Sequence, residues 1–150
     1  MARILYGVMG DSRGHVSRSL AVAQLMPHHE YLFVGGGVVH ELEAEGYQVE
    51  DAPMASTIRR NNRVDVWATL TNAAKVFGHR GPAVNRIADV IKAFDPHLIL
   101  TDYEFFTPLA ARKLGRECVS LDHQHVLTHC RYDPPEGQTF NRITTCSTVK

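Results

Sequence analysis

Apolar positions follow two rhythms along this chain. Short solid runs (Ile4-Leu5-Tyr6, Tyr31-Leu32-Phe33-Val34, Leu98-Ile99-Leu100) alternate with stretches in which apolar residues recur every three or four positions. The first pattern reads as buried strand and the second as amphipathic helix. Arg3–Val8 is therefore a strand. Val16–Met26 is a helix with Val16, Leu20 and Ala23 on one stripe, stopped by Pro27. Residues 31–34 form a second strand, Gly35-Gly36-Gly37 a tight turn, Val38–Glu45 a short helix closed by Gly46, and Tyr47–Glu50 a third strand. Residues 51–63 read as a loop, either a solvated segment or a substrate loop. Val64–Phe77 is a helix with Val66, Leu70, Ala73 and Phe77 on one side, a composition that favours ordinary core packing. Gly78 and Gly81-Pro82 break it, and Pro82 opens a helix to Phe94 striped by Val84, Ile87, Ile91 and Phe94. After the Asp95-Pro96 turn comes a strand ending on Asp102. A loop over 103–107, a helix from Pro108 to Leu114 and a strand over Glu117–Leu121 follow. The polar tail from Thr128 to Lys150 carries no assigned element.

Strands alternating with helices indicate an α/β fold with a mainly parallel sheet and right-handed crossovers. In such a sheet the carboxyl ends of the strands share one rim, where ligands bind. Four groups gather there: the Gly7–Arg18 turn, Gly35–Gly37, Asp102–Glu104 and Asp122–His125. The first turn reads Gly7-x-x-Gly10-x-x-x-Gly14-His15-x-x-Arg18. Its three glycines suggest backbone conformations that a side chain would forbid. It brings His15 and Arg18 to a helix opening, beside unpaired N–H groups and the positive end of the helix dipole.

Composition narrows the reading. One hundred and fifty residues suit one domain. Sixteen basic and sixteen acidic residues balance, which argues against a nucleic-acid partner. Cys118, Cys130 and Cys146 share no C-x-x-C spacing, the usage of free thiols in a reducing cytoplasm. There is no signal-peptide pattern, and no run approaches the about 18 apolar residues of a membrane span.

Several chemistries compete for the rim. A dinucleotide site needs G-x-G-x-x-G and an acidic residue ending the second strand, and both are missing. A P-loop needs Gly-Lys-Ser/Thr, which does not occur. His123-x-His125 with His129 and Cys130 has metal-ligand chemistry but matches no zinc spacing, so no metal is assigned. Acid–base work by His15 fits best: imidazole changes charge near neutral pH, and a carboxylate such as Asp102 can orient it. The adjacent helix N-terminus favours its neutral, basic form. Arg18 is placed to hold a phosphate or carboxylate, although an ordinary surface arginine would look the same.

The glycine–histidine turn, Asp95-Pro96-His97-Leu98-Ile99-Leu100-Thr101-Asp102-Tyr103-Glu104, Ala110-Ala111-Arg112-Lys113-Leu114-Gly115 and Ser120-Leu121-Asp122-His123-Gln124-His125 together resemble the N-terminal half of GT-B glycosyltransferases of the family 1 type. These are related to the enzyme that adds N-acetylglucosamine to the lipid-linked peptidoglycan precursor. The resemblance implies a Rossmann-like three-layer α/β/α sandwich forming the acceptor-binding domain. A C-terminal nucleotide-sugar domain, or a partner subunit of a split transferase, would complete it. It implies hexosyl transfer from a nucleotide sugar such as a UDP-sugar to an acceptor hydroxyl, inverting and metal-independent, with no cofactor. It implies His15 as base steadied by Asp102. Gly10, Arg13, Gly14, Arg18, Glu104, Asp122, His123 and His125 become candidates for acceptor or phosphate binding. The acceptor is a sugar or a lipid-linked molecule, which the mixed apolar and basic residues of 54–77 could face; a cytoplasmic protein is expected, with peripheral membrane contact left open. Two alternatives stay open: a non-catalytic Rossmann-like module holding an anion at Gly7–Arg18, and half of a GT-B-like sugar-nucleotide epimerase.

Overall fold

The computed structural model describes residues 1–121. Its centre is β1 (Arg3–Val8), buried on both faces because helices cover both sides of the sheet. Leu5 joins one apolar cluster, with Ile87, Ile91, Ile99, Phe106 and Ala110. Ile4, Tyr6 and Val8 join the other, with Val16, Ala23, Phe33, Val39 and Leu42. This alternation is the period of a strand, and it makes three layers.

The chain leaves β1 through α1 (Arg13–Leu25) to β2 (Glu30–Val34), then through a 3-10 helix (Gly37–Glu43) to β3 (Gln48–Glu50). Next come a two-stranded hairpin, β4 (Arg59–Arg60) and β5 (Arg63–Val64), then α2 (Val66–Gly78), α3 (Arg80–Phe94), β6 (Leu98–Asp102), α4 (Phe106–Lys113) and β7 (Val119–Ser120). The main sheet runs β3-β2-β1-β6-β7 with every pair parallel. The chain goes one way from β1 to β2 and β3, then crosses back to β6 on the other side. The carboxyl ends of β1 and β6 thus flank the switch point where open α/β sheets bind ligands. Register pairs Val8 with Asp102, and Met9 N donates to Asp102 O at 3.0 Å.

Three expectations need correction. First, α1 begins at Arg13 rather than Val16, so His15 lies inside its first turn. Second, residues 51–63 are more than a solvated loop. Asn61 and Asn62 take left-handed φ values of 49° and 58° and turn the hairpin. Ser56 N donates to Asn72 Oδ1 and Ile58 N to Thr69 Oγ1, each at 3.0 Å, tying the segment to α2. Third, α2 buries none of its residues. Asp65 caps it by accepting from Ala68 N, and Phe77 anchors its end edge-on against Phe105 at 5.5 Å. Its first turns nonetheless leave Val66 62%, Trp67 80% and Leu70 56% exposed. The apolar stripe is real, but only its end meets the core, where Val76 packs on the cluster around Leu5 and the Phe77 ring lies 6.1 Å from that of buried Phe106.

The glycines of the first turn act differently from the expectation. None of Gly7, Gly10 and Gly14 has a positive φ. A Cβ on Gly10 would lie 1.7 Å from the carbonyl oxygen of Gly36, so Gly10 is there for close approach. That approach brings the turn after β1 against the turn after β2, where Val38 N donates to Gly10 O at 3.2 Å.

Candidate active site

His15 and Asp102 reach each other because the fold puts α1 after β1 and pairs the last residue of β1 with the last of β6. His15 Nδ1 stands 2.7 Å from Asp102 Oδ1. The Asp102 side chain is fully buried and that of His15 is 13% exposed. A carboxylate has no proton to give, so Nδ1 carries the hydrogen and donates it. The lone pair is then on Nε2, at the other edge of the ring.

His15 borders an open pocket of about 270 Å³. Met9, Asp11 and Ser12 line it from the turn after β1, and Ala55, Ser56 and Thr57 from the following loop. Thr69, Ala73 and Phe77 line it from α2, and Tyr103 and Phe105 from the loop after β6. Thr57 N donates to the Asp11 carboxylate at 3.3 Å, which joins two of these walls. Six of the twelve lining residues are aromatic or aliphatic and six are polar, a mixture that can hold an organic molecule by its apolar faces and orient it by its hydroxyls.

Tyr103 is the residue that sequence reasoning passed over. Its ring stacks on the His15 imidazole, 6.0 Å between centroids and 9° between planes. Its φ of 59° is uncommon for a bulky residue and is the kind of strain that gathers at functional sites. The available signal was its place directly after the strand-ending aspartate.

The remaining candidates divide. Arg18 is at the dyad, but its guanidinium is engaged with Asp102. Arg13 faces outward and pairs with Glu41 at 2.9 Å. Glu104 is turned toward α4, where its carboxylate accepts from Phe106 N at 2.8 Å and Thr107 N at 2.6 Å. Burial pushes the Glu104 carboxyl above its usual range, opposed by those hydrogen bonds. Gly10 serves the contact with Gly36, and Gly14 sits in the first turn of α1 with open space around it. Asp122, His123 and His125 lie outside the described residues, as do His129, Cys130 and Cys146. Burial raises the Cys118 thiol to about 11, leaving it protonated and unreactive at neutral pH. Among the described residues no group of three or more His, Cys, Asp or Glu side chains is placed to hold a metal ion.

A family model described as glycosyl transferase family 1 matches residues 2–150. The chain belongs to this family. Among solved structures, this family member is similar to MurG of Acinetobacter baumannii, with a TM-score of 0.57 at 14% identity over 81% of this chain and 35% of that one. SnogD, a glycosyltransferase of Streptomyces nogalater, gives 0.54 at 20% identity over 81% and 34%. CalG4, the calicheamicin glycosyltransferase, gives 0.55 at 16% identity over 100% and 38%. At these identities the likeness is one of fold: the Rossmann-like α/β architecture of one half of a GT-B protein. The chain spans little more than a third of the length of these three structures. No curated protein matches it.

Proposed function

We propose that this chain is the acceptor-side half of an inverting glycosyltransferase, and that His15 is the base that activates the acceptor hydroxyl. The observation that carries this reading is His15 Nδ1 held at 2.7 Å by buried Asp102 beside a pocket of organic-molecule size. An acceptor in the pocket would give its hydroxyl proton to Nε2 as its oxygen bonds to the anomeric carbon of a nucleotide sugar, such as a UDP-hexose. The bond from that carbon to the diphosphate breaks, and the nucleoside diphosphate leaves. Its growing charge needs N–H donors and cations. In this reading a C-terminal domain or partner subunit supplies most of them, so the 150 residues alone lack turnover. No cofactor enters, and the reaction is metal-independent as the family resemblance implies.

Turnover of a UDP-sugar by the complete enzyme, followed by NMR of the products, tests the proposal. A new glycoside of inverted anomeric configuration supports it. Conversion of the UDP-sugar with no acceptor present replaces it with the epimerase reading. The anion-module alternative leaned on Arg18 as a free cation, and the pairing of Arg18 with Asp102 speaks against it.

The helix that lines the pocket through Thr69, Ala73 and Phe77 also exposes Val66, Trp67 and Leu70, beside the exposed arginines 59, 60 and 63. Apolar side chains next to basic ones suit the surface of an anionic bilayer. This surface therefore favours a lipid-linked acceptor presented from the membrane. Among the described residues no helix is long and apolar enough to cross one, so the contact would be peripheral. The chain is expected to co-sediment with vesicles containing phosphatidylglycerol and not with pure phosphatidylcholine. Trp67→Ser should weaken that binding about tenfold, the equivalent of roughly 1.4 kcal/mol of lost burial. Equal recovery with both kinds of vesicle would remove the membrane from the reading.

A further inference from the structure

Arg18 takes no part in the transfer step just described, yet its guanidinium reaches both oxygens of Asp102. Its Nε donates to Asp102 Oδ2 at 2.7 Å, and its Nη2 donates to Oδ1 at 2.5 Å. This is a two-toothed guanidinium–carboxylate fork, the strongest and most directional form of that pair. Oδ1 therefore receives two donors, Arg18 Nη2 and His15 Nδ1. The two nitrogens are 3.1 Å apart, but both carry hydrogens, so they share an acceptor and do not bond each other.

We propose that Arg18 is a positioning residue, whose fork fixes the plane of the Asp102 carboxylate and thereby sets the tautomer and aim of His15. An aspartate carboxylate turns readily about its last side-chain bond, and a single contact from His15 would not stop it. Two parallel hydrogen bonds from one rigid guanidinium do. With both oxygens fixed, Oδ1 can accept the Nδ1 hydrogen in one direction only, and Nε2 is left to the pocket. The arrangement is built into one helix. His15 and Arg18 are three residues apart on α1, hence on one face, and both reach across to the end of β6. Arg18 also supplies the positive charge that a fully buried carboxylate requires, so that His15 need not carry it.

Lysine in place of Arg18 would keep the charge and lose the fork, so it separates aim from charge balance. The inference rests on His15 as base, but its first readout does not depend on turnover. In the chain labelled with nitrogen-15 histidine, wild type should show the His15 imidazole fixed as the Nδ1–H tautomer, told apart from His40 and His79, whose Nδ1 atoms also face acceptors, by its disappearance in His15→Gln. Arg18→Lys should fold and convert that signal to a mixture of the two tautomers. In the complete enzyme the same variant should lower kcat about tenfold to a hundredfold, the effect of a misaimed group, with KM for both substrates within about twofold. Arg18→Met should show the same loss of the fixed tautomer, with a lowered melting temperature. A fixed Nδ1–H tautomer retained in Arg18→Lys would overturn the proposal and leave Arg18 a charge-balancing residue only. Should His15→Gln prove fully active, the base reading falls while the tautomer experiment still decides what Arg18 does.

Discussion

Replacing His15 with glutamine in the complete enzyme is expected to lower kcat by roughly 10²–10⁴-fold, the usual contribution of a positioned general base. The acceptor KM should hardly move, because His15 is one of twelve residues that line the pocket and the other eleven stay in place. Glutamine is close to histidine in size, and Arg18 still donates to both oxygens of Asp102. The buried carboxylate therefore keeps a partner, and the fold should survive. What disappears is the Nε2 lone pair. Steady-state kinetics with saturating donor, alongside thermal unfolding of the variant, provide the check. A kcat within about tenfold of wild type would end the case for His15 as base and return the site to a binding role.

The second large effect concerns stability. Gly10→Ala should destabilise the chain by about 3 kcal/mol, at the upper end of ordinary overpacking. The new methyl would overlap the carbonyl oxygen of Gly36, 1.7 Å away, and that oxygen is main chain, so no side-chain rotation relieves the clash. Either the turn after β1 or the turn after β2 must move, and the hydrogen bond from Val38 N to Gly10 O goes with it. For a chain of this length the melting temperature should fall by roughly 6–12 °C. Gly14→Ala should do the reverse. Gly14 lies in the first turn of α1, a Cβ there would meet Ser12 Oγ at an ordinary 3.9 Å, and its φ is not positive. Alanine there should add about 0.5–1 kcal/mol through helix propensity and reduced freedom of the unfolded chain. Calorimetry of both variants compares two glycines of one motif. Similar melting temperatures would mean that neither glycine has the role assigned to it.

That contrast shows where sequence runs out. The alternation of strand and helix was legible, and with it the parallel sheet and the common rim at the carboxyl ends of its strands, while the pairing of Val8 with Asp102 came only with the strand order. His15 and Asp102 could be paired from topology alone, since a shared rim needs no side-chain coordinates. The glycines could not be told apart, because a sequence does not say whether a missing Cβ frees a dihedral angle or admits a neighbouring carbonyl. The stripe on α2 was visible as a period, but periodicity is silent on what packs against it. The side chains of Val66, Trp67 and Leu70 face outward where core was expected. Arg18 and Glu104 were legible as charges at the rim, while their partners, Asp102 and the amides opening α4, depend on distances set by the folded chain. The hairpin at 59–64 did carry a signal. Adjacent asparagines tolerate left-handed backbone, and Asp65 is a good helix cap.

The place of β1 has a consequence for how the molecule comes to exist. Ile4 pairs with Tyr31 on one side and with Leu98 on the other. During synthesis the first ladder can close early, whereas the second must wait until β6 has left the ribosome, with α2 and α3 already made in between. Closing so long a loop is the slow, entropically costly step of a parallel fold. Until then one edge of the central strand stays open to mispairing. Zipping β6 onto β1 seals that edge and carries Asp102 to His15 in the same event, so a chain stalled before this step has neither a closed sheet nor an assembled dyad.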